Sequence, residues 1–125
     1  MVSTGLSGGD RTQMNQLSAA DLATWLNDST RQRPLLLDVR EPWEVATASL
    51  DGVTTIPMQQ IPQRIEELQQ LSEGNEAGIV AICHHGARSM QVAMFLERQG
   101  LGPIHNLAGG MEAWSTEVDP AVPRY

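Results

Sequence analysis

The chain has 125 residues but only one cysteine, Cys83, and no lysine. A single cysteine excludes an intramolecular disulfide, a disulfide-framed secreted fold and a redox cycle between two cysteines of the same chain. The absence of lysine excludes Schiff-base chemistry on a lysine, and also a P-loop, which needs its lysine for phosphate. Any basic side chain that assists at a functional site must therefore be an arginine or a protonated histidine.

Positive charge and long apolar runs are also scarce. Eight basic residues, all arginines, stand against fifteen acidic ones, so the formal net charge is −7. Because affinity for nucleic acids comes from neutralising phosphates, we expect no nucleic-acid partner. No stretch approaches the roughly 20 apolar residues of a membrane span. Residues 1–10 also lack the apolar segment of a secretory signal. We therefore expect no membrane partner and a cytoplasmic location.

The hydrophobic fraction of 41% is enough for the core of one domain. Residues 1–12 are rich in glycine and serine without any periodic pattern, and we predict a flexible arm there. The domain is predicted over residues 13–118. Pro120 and Pro123 then predict an irregular tail over residues 119–125.

Short apolar runs alternate with helical patterns along the domain. Such alternation predicts an α/β fold, with a mainly parallel sheet flanked by helices on both faces. Ligands of such sheets bind at the carboxyl ends of the strands, and Cys83 ends one predicted strand. The predicted strands are 35–39, 53–56, 78–83 and 104–107, and the predicted helices are 18–28, 41–44, 61–71, 90–98 and 111–117.

Three residues in the helical patterns, Met90, Met94 and Phe95, are predicted to lie in the core. The stripe of Ile61, Ile65, Leu68 and Leu71 predicts the buried face of the third helix. Gly109 and Gly110 predict a turn whose backbone passes close to the loop after Cys83.

The position of Cys83 predicts a reactive thiol. It stands between a buried strand and a helix, where loop N–H groups and the helix N-terminus favour both a thiolate and a bound anion. Arg88, five residues later, offers a planar cation to that anion, and Gly86 gives the loop conformational freedom. A lone cysteine is most often a small buried hydrophobe, but its place at a strand end favours a nucleophile.

Three segments resemble the rhodanese-like sulfurtransferases, and they occur in the family's order and spacing. They are the active-site loop Cys83–Ser89 (CHHGARS), Leu37–Glu44 (LDVREPWE) and Asn106–Trp114 (NLAGGMEAW). The resemblance covers about residues 14–118 and implies a first strand near residues 14–17, hence a sheet of about five strands. Where many members carry His-Ile-Pro-Gly, this chain has Ser49–Gly52 (SLDG), for which we expect a changed local hydrogen bond.

The resemblance implies a thiosulfate sulfurtransferase with Cys83 as its nucleophile. Cys83 would take the outer sulfur of thiosulfate, or of a similar donor, as a persulfide and pass it to cyanide or a thiol. The loop residues would hold the persulfide's charge, and no cofactor is expected. The residues of that persulfide-binding loop are His84, His85, Gly86, Ala87 and Arg88.

Two other functions remain open. A persulfide carrier that relays sulfur between proteins is favoured by the acidic charge, which attracts a basic partner and repels a dianionic donor. A phosphatase or arsenate reductase is disfavoured by loop length. Cys83 and Arg88 enclose four residues, whereas the related dual-specificity phosphatases enclose five and so have a wider loop for a tetrahedral phosphate.

Four further side chains are candidates at the same sheet edge. The family pattern implies that Asp38 and Arg40 brace the active-site loop; the alternative is an ordinary solvated ion pair of little energetic weight. His84 and His85 are acid–base candidates, but persulfide chemistry requires no proton shuttle, so we expect them to face outward and tune access. We expect no metal site, because adjacent Cys-His-His side chains diverge.

Overall fold

A computed structural model describes residues 14–125 of the chain, and the predicted arm over residues 1–12 lies outside them. Within the described residues, five parallel strands form one sheet in the order β1-β5-β4-β2-β3. This confirms the predicted fold class. The strands are β1 Asn15–Leu17, β2 Leu35–Asp38, β3 Thr54–Thr55, β4 Ile79–Ile82 and β5 Ile104–Leu107.

Within residues 14–125 four α-helices connect consecutive strands, and a fifth follows the last strand. Ser18 begins α1 as predicted, because its side-chain oxygen accepts the N–H of Asp21 at 3.0 Å. Two short 3₁₀ turns, Met58–Gln60 and Pro62–Arg64, precede α3. The α-helices are α1 Ala19–Leu26, α2 Pro42–Thr47, α3 Ile65–Ser72, α4 Ala87–Arg98 and α5 Gly110–Glu117.

The strands bury both of their faces because neighbouring residues point to opposite sides of the sheet. Leu37, Ile79 and Ala81 pack on the side of α3 and α4, while Leu36 and Val80 pack on the side of α1 and α5. A continuous apolar run is what a strand covered on both faces requires. The helices thus lie on both faces, as predicted.

Two helix faces differ from the prediction. The buried residues of α4 are Ser89, Val92, Ala93 and Leu96, a spacing of three, one and three. Met90 and Met94 lie one position off this face and are 37% and 43% exposed, so the prediction that they belong to the core is wrong.

The predicted third helix is the second difference. It does not run unbroken from Ile61, because the 3₁₀ turn that starts at Pro62 intervenes before α3. Within α3 only Leu68 is buried, and Leu71, three positions later, is 46% exposed.

The sheet order places the ends of β2, β4 and β5 side by side, since β4 lies between the other two. Asp38 pairs with Ile82 and Ala81 pairs with Asn106. The residues that follow these strands therefore meet at one edge, with Cys83 in the middle. None of the helices in residues 14–125 is long and apolar enough to cross a membrane.

Candidate active site

Cys83 follows β4 directly and is 1% exposed. The backbone N–H of Gly86 donates to its Sγ atom at 3.0 Å. The Ser89 hydroxyl lies 3.3 Å from the same sulfur. The sulfur is thus held at the start of α4, where the first N–H groups of the helix have no partner within it. Their partial positive charge favours an anion at this position.

Gly86 makes this arrangement possible. It precedes α4 with a φ of +106°, in the region that favours glycine, and so lets the chain turn sharply from the loop into the helix. A Cβ atom there would lie 3.1 Å from the backbone nitrogen of Gly109, which is tight packing. The helix starts three residues earlier than predicted because the turn is completed at Gly86.

The backbone of α5 fixes the loop from the other side. The N–H of Met111 donates to the carbonyl oxygen of Cys83 at 2.9 Å, and that of Glu112 donates to the carbonyl of His84 at 3.0 Å. A Cβ atom on Gly110 would lie only 2.3 Å and 2.4 Å from these same two oxygens. The backbone of the predicted glycine turn therefore passes against the loop, as expected.

Ser89 and Asn106 form a buried polar pair beneath the sulfur. The Ser89 hydroxyl makes a short hydrogen bond to Asn106 Oδ1. The Asn106 amide nitrogen donates to the carbonyl of Gly86 at 3.2 Å and to Gln16 Oε1 at 3.0 Å. Ser89 has one proton, so the sulfur and Asn106 compete for it. Both residues lie in the family segments, but no sequence pattern signals the contact between them.

Arg88 does not present a free cation, which differs from the expectation. Its guanidinium makes two parallel hydrogen bonds, of 2.7 Å and 2.8 Å, to the carboxylate of Glu44 on α2. Hydrogen bonding to Arg88 lowers the pKa of Glu44 to about 2, and the same bonds raise the pKa of Arg88. The only sequence signal for Glu44 was its place in the family segment.

Asp38 and Arg40 form a fully buried pair and not a solvated one. Arg40 donates to Asp38 through Nε at 2.9 Å and Nη2 at 2.7 Å. It also donates to the carbonyl oxygens of Glu44 and Ala48, in and just after α2. Burial opposes the charge on Arg40, but the hydrogen bonds that Arg40 donates to Asp38 and Tyr125 outweigh it and raise the pKa of Arg40. The pair contacts α2, which carries Glu44.

His84 and His85 lie at the rim. Their rings stack at a centroid distance of 4.1 Å, and the Tyr125 ring covers His84 at 4.0 Å. His85 is exposed and His84 is partly buried. Burial, together with the neighbouring His85, lowers the pKa of His84. Within residues 14–125, no three His, Cys, Asp or Glu side chains are grouped as a metal site would require.

Tyr125 is the functional neighbour that sequence reasoning missed entirely. Its hydroxyl accepts from Arg40 Nη1 at 2.6 Å and donates to Glu44 Oε2 at 3.0 Å. No local pattern signals this contact, because Tyr125 is separated from Arg40 by 85 positions in the sequence. The predicted tail thus reaches the site.

The parallel α/β sheet, with a buried cysteine at a strand end and a helix that starts after Gly86, places this chain among α/β proteins with a candidate site built around a cysteine. A comparison with family models matches residues 18–117 to the rhodanese-like domain. The chain belongs to the rhodanese-like domain family.

Individual relatives agree with this assignment. A sulfurtransferase of Allochromatium vinosum is 33% identical over 87% of this chain and 95% of its own length. A chloroplastic rhodanese-like/PpiC domain-containing protein of Arabidopsis thaliana is 39% identical over 72% of this chain, which spans 30% of that longer protein. The crystal structure of a Staphylococcus aureus rhodanese-like domain protein is 29% identical, with a TM-score of 0.68 over 84% of this chain and 95% of its own.

Proposed function

We propose that the protein is a sulfurtransferase that carries sulfur as a persulfide on Cys83, with thiosulfate or a similar compound as donor. The observation that carries this proposal is the placement of the Cys83 sulfur at the start of α4, 3.0 Å from the Gly86 nitrogen. The N–H groups at the start of the helix favour the negative charge of a persulfide at this position.

The first half of the reaction is a displacement at sulfur. The Cys83 thiolate attacks the outer sulfur of thiosulfate, and a bond forms between the two sulfur atoms. The sulfur–sulfur bond of thiosulfate breaks, and sulfite leaves with its electron pair. The persulfide keeps one negative charge, which the N–H groups of residues 84–88 surround.

The second half regenerates the enzyme. Cyanide, or the thiolate of an acceptor, attacks the outer sulfur of the persulfide and leaves as thiocyanate or as a new persulfide. The electron pair of the broken bond returns to the Cys83 sulfur. No proton is transferred in either half, so neither His84 nor His85 is needed as an acid or base. The chain has no second cysteine, so the sulfur has to leave to an outside acceptor.

Thiocyanate release from thiosulfate and cyanide tests the proposal. The wild-type protein should turn over, and Cys83→Ser should release thiocyanate no faster than buffer. Alkylation of Cys83 with iodoacetamide before the assay should abolish turnover equally. Release by Cys83→Ser at the wild-type rate would rule out the persulfide.

Loop length bears on the choice between sulfur transfer and phosphatase chemistry. Cys83 and Arg88 enclose four residues, whereas the related dual-specificity phosphatases enclose five, so the shorter loop favours sulfur transfer. The Glu44–Arg88 pair does not discriminate between the two, because thiosulfate and a phosphate monoester are both dianions. Hydrolysis of p-nitrophenyl phosphate as fast as thiosulfate turnover would favour the phosphatase instead.

A second candidate function is that of a carrier that receives sulfur from one protein and passes it to another. The net charge of −7 favours it, since a negative surface repels thiosulfate and attracts a basic partner. The two functions differ in their salt dependence. If repulsion limits the free donor, kcat/KM for thiosulfate rises with ionic strength. A flat response would remove this argument for the carrier.

A further inference from the structure

The segment after α5 turns back across the domain towards the active-site loop. The Ser115 hydroxyl donates to the carbonyl of Val122 at 2.6 Å, and Val122 packs against the core beside α1 and α5. Tyr125 then stacks on His84 and meets Trp43 edge-on at a centroid distance of 5.7 Å. An aromatic ring of the tail therefore lies at the rim of the site.

The direction of each hydrogen bond at the Tyr125 hydroxyl is fixed by its neighbours. The Arg40 guanidinium can only donate, so the phenol oxygen accepts from Nη1 at 2.6 Å. An ionised carboxylate can only accept, so the phenol proton goes to Glu44 Oε2 at 3.0 Å. Burial raises the pKa of Tyr125, which keeps that proton in place at neutral pH.

The hydrogen bonds that run from Arg40 through Tyr125 to Glu44 are anchored at Arg40. Arg40 is fully buried and bound to Asp38 through two nitrogens. Its remaining donors reach carbonyl oxygens of Glu44 and Ala48. Tyr125 therefore binds Glu44 from a fixed point and not from a mobile surface side chain.

The other end is the carboxylate that neutralises Arg88. Glu44 Oε1 accepts from Arg88 and from the Glu41 N–H, and Oε2 accepts from Arg88 and from Tyr125. Each oxygen thus has two donors. Loss of the Tyr125 hydroxyl removes one of the two donors on Oε2 and leaves Glu44 freer to move away from Arg88.

We propose that Tyr125 is a positioning residue of the active site: it holds Glu44 on Arg88 and so withholds part of the arginine's charge from an anion at Cys83. The inference rests on the proposed function, in which an anion approaches Cys83. What Tyr125 changes is the positive charge that such an anion meets. Tyr125 acts through Glu44, because its hydroxyl bonds Arg40 and Glu44 and not the Cys83 sulfur.

Alkylation of Cys83 measures that charge without any sulfur transfer. Iodoacetate is an anion and iodoacetamide is its neutral analogue, so the ratio of their rates reports the cationic field at the sulfur. The neutral reagent corrects for changes in exposure or thiolate fraction. In Tyr125→Phe the ring remains and only the hydroxyl is lost, and the ratio should rise about threefold. In Glu44→Gln, which removes the carboxylate charge, it should rise at least as much.

The double variant separates positioning from simple disruption. If Tyr125 acts through Glu44, then Tyr125→Phe added to Glu44→Gln should produce no further rise in the ratio. In the thiosulfate assay, Tyr125→Phe alone should lower KM and leave kcat close to the wild-type value. A merely structural role would lower kcat instead and leave the alkylation ratio unchanged.

An unchanged ratio in folded Tyr125→Phe, or additive effects in the double variant, would overturn the proposal. Should the Phe variant fail to fold, Tyr125→Ala carries the same test, because it opens space for water to bind Arg40. If the iodoacetate-to-iodoacetamide ratio rises in Tyr125→Phe but the wild-type protein never forms a persulfide, the proposed function is refuted and the role of Tyr125 stands.

Discussion

The carboxylate of Glu44 holds the guanidinium of Arg88 in two parallel hydrogen bonds, of 2.7 Å and 2.8 Å, at the rim of the loop that carries Cys83. The pair joins α2 to the first turn of α4. Arg88 is 37% exposed and Glu44 is 5% exposed, so the carboxylate is the buried partner. Loss of its charge is expected to affect stability as well as anion binding.

Glu44 is expected to contribute to stability in a pH-dependent way. Arg88 holds the pKa of Glu44 at about 2, below its ordinary value of 4.5. The ionised Glu44 therefore contributes its full stabilisation at pH values above 4.5, and this stabilisation is lost as the pH falls towards about 2. The full contribution to the unfolding free energy is about 3 kcal/mol.

Urea unfolding of the wild type and of Glu44→Gln tests this contribution. Between pH 7 and about pH 3 the wild type should lose about 2 kcal/mol more stability than the variant. Glu67→Gln is the matched control, because Glu67 pairs with Arg64 on the surface and its side chain is 46% exposed. Equal losses in the wild type and Glu44→Gln would contradict the assignment.

Gly110 is expected to tolerate no side chain. A Cβ atom would lie 2.3 Å from the carbonyl oxygen of Cys83, and φ is +59°. Gly110→Ala should cost more than about 3 kcal/mol in unfolding free energy, since the backbone itself must move. Gly74→Ala is the control: φ is +78° but nothing lies within 4 Å, so the cost should be about 1 kcal/mol. Similar costs for the two would refute the contact.

Asp38 is expected to be essential for the fold because its partner is buried. Asp38→Ala removes the carboxylate that pairs with Arg40, whose side chain is 0% exposed. The unfolding free energy should fall by about 3–5 kcal/mol, because a buried charge is left unpaired. The surface pair offers a comparison, since Glu67→Ala should cost no more than about 1 kcal/mol. Denaturant unfolding measures both, and a small loss in Asp38→Ala would show that water replaces the carboxylate.

Ser89 is expected to support the thiolate of Cys83. Its hydroxyl lies 3.3 Å from the sulfur and can donate its proton there. Ser89→Ala should slow iodoacetamide alkylation near neutral pH about fivefold, which is the effect of one hydrogen bond. Ser89→Thr keeps the hydroxyl and should restore the rate. A faster reaction in Ser89→Ala would mean that Asn106 keeps the proton.

Local patterns predicted four of the five strands and the position of Cys83, whereas the first strand was implied by the family resemblance. The apolar runs at residues 35–39 and 78–83 become adjacent parallel strands, because only strands covered on both faces carry such runs. Helix phase was harder to predict. Met90 and Met94 fit an apolar pattern, yet the buried face of α4 is formed by Ser89, Val92, Ala93 and Leu96, one position away from each methionine.

The partners within the site could not be predicted from the sequence. The bond from Arg88 to Glu44 spans 44 positions and the one from Arg40 to Tyr125 spans 85. Such contacts depend on the sheet order and on the path of the tail, neither of which leaves a local pattern. The sequence therefore predicted where Cys83 and its loop lie, but not the neutralisation of Arg88.

The intact mass of the protein, after incubation with thiosulfate and removal of the excess, tests whether Cys83 carries sulfur. We expect a gain of one sulfur atom, located on Cys83, which cyanide removes with the release of an equal amount of thiocyanate. Cys83→Ser, treated identically, should keep its original mass. An unchanged mass of the wild type, or the same gain in Cys83→Ser, would contradict the persulfide.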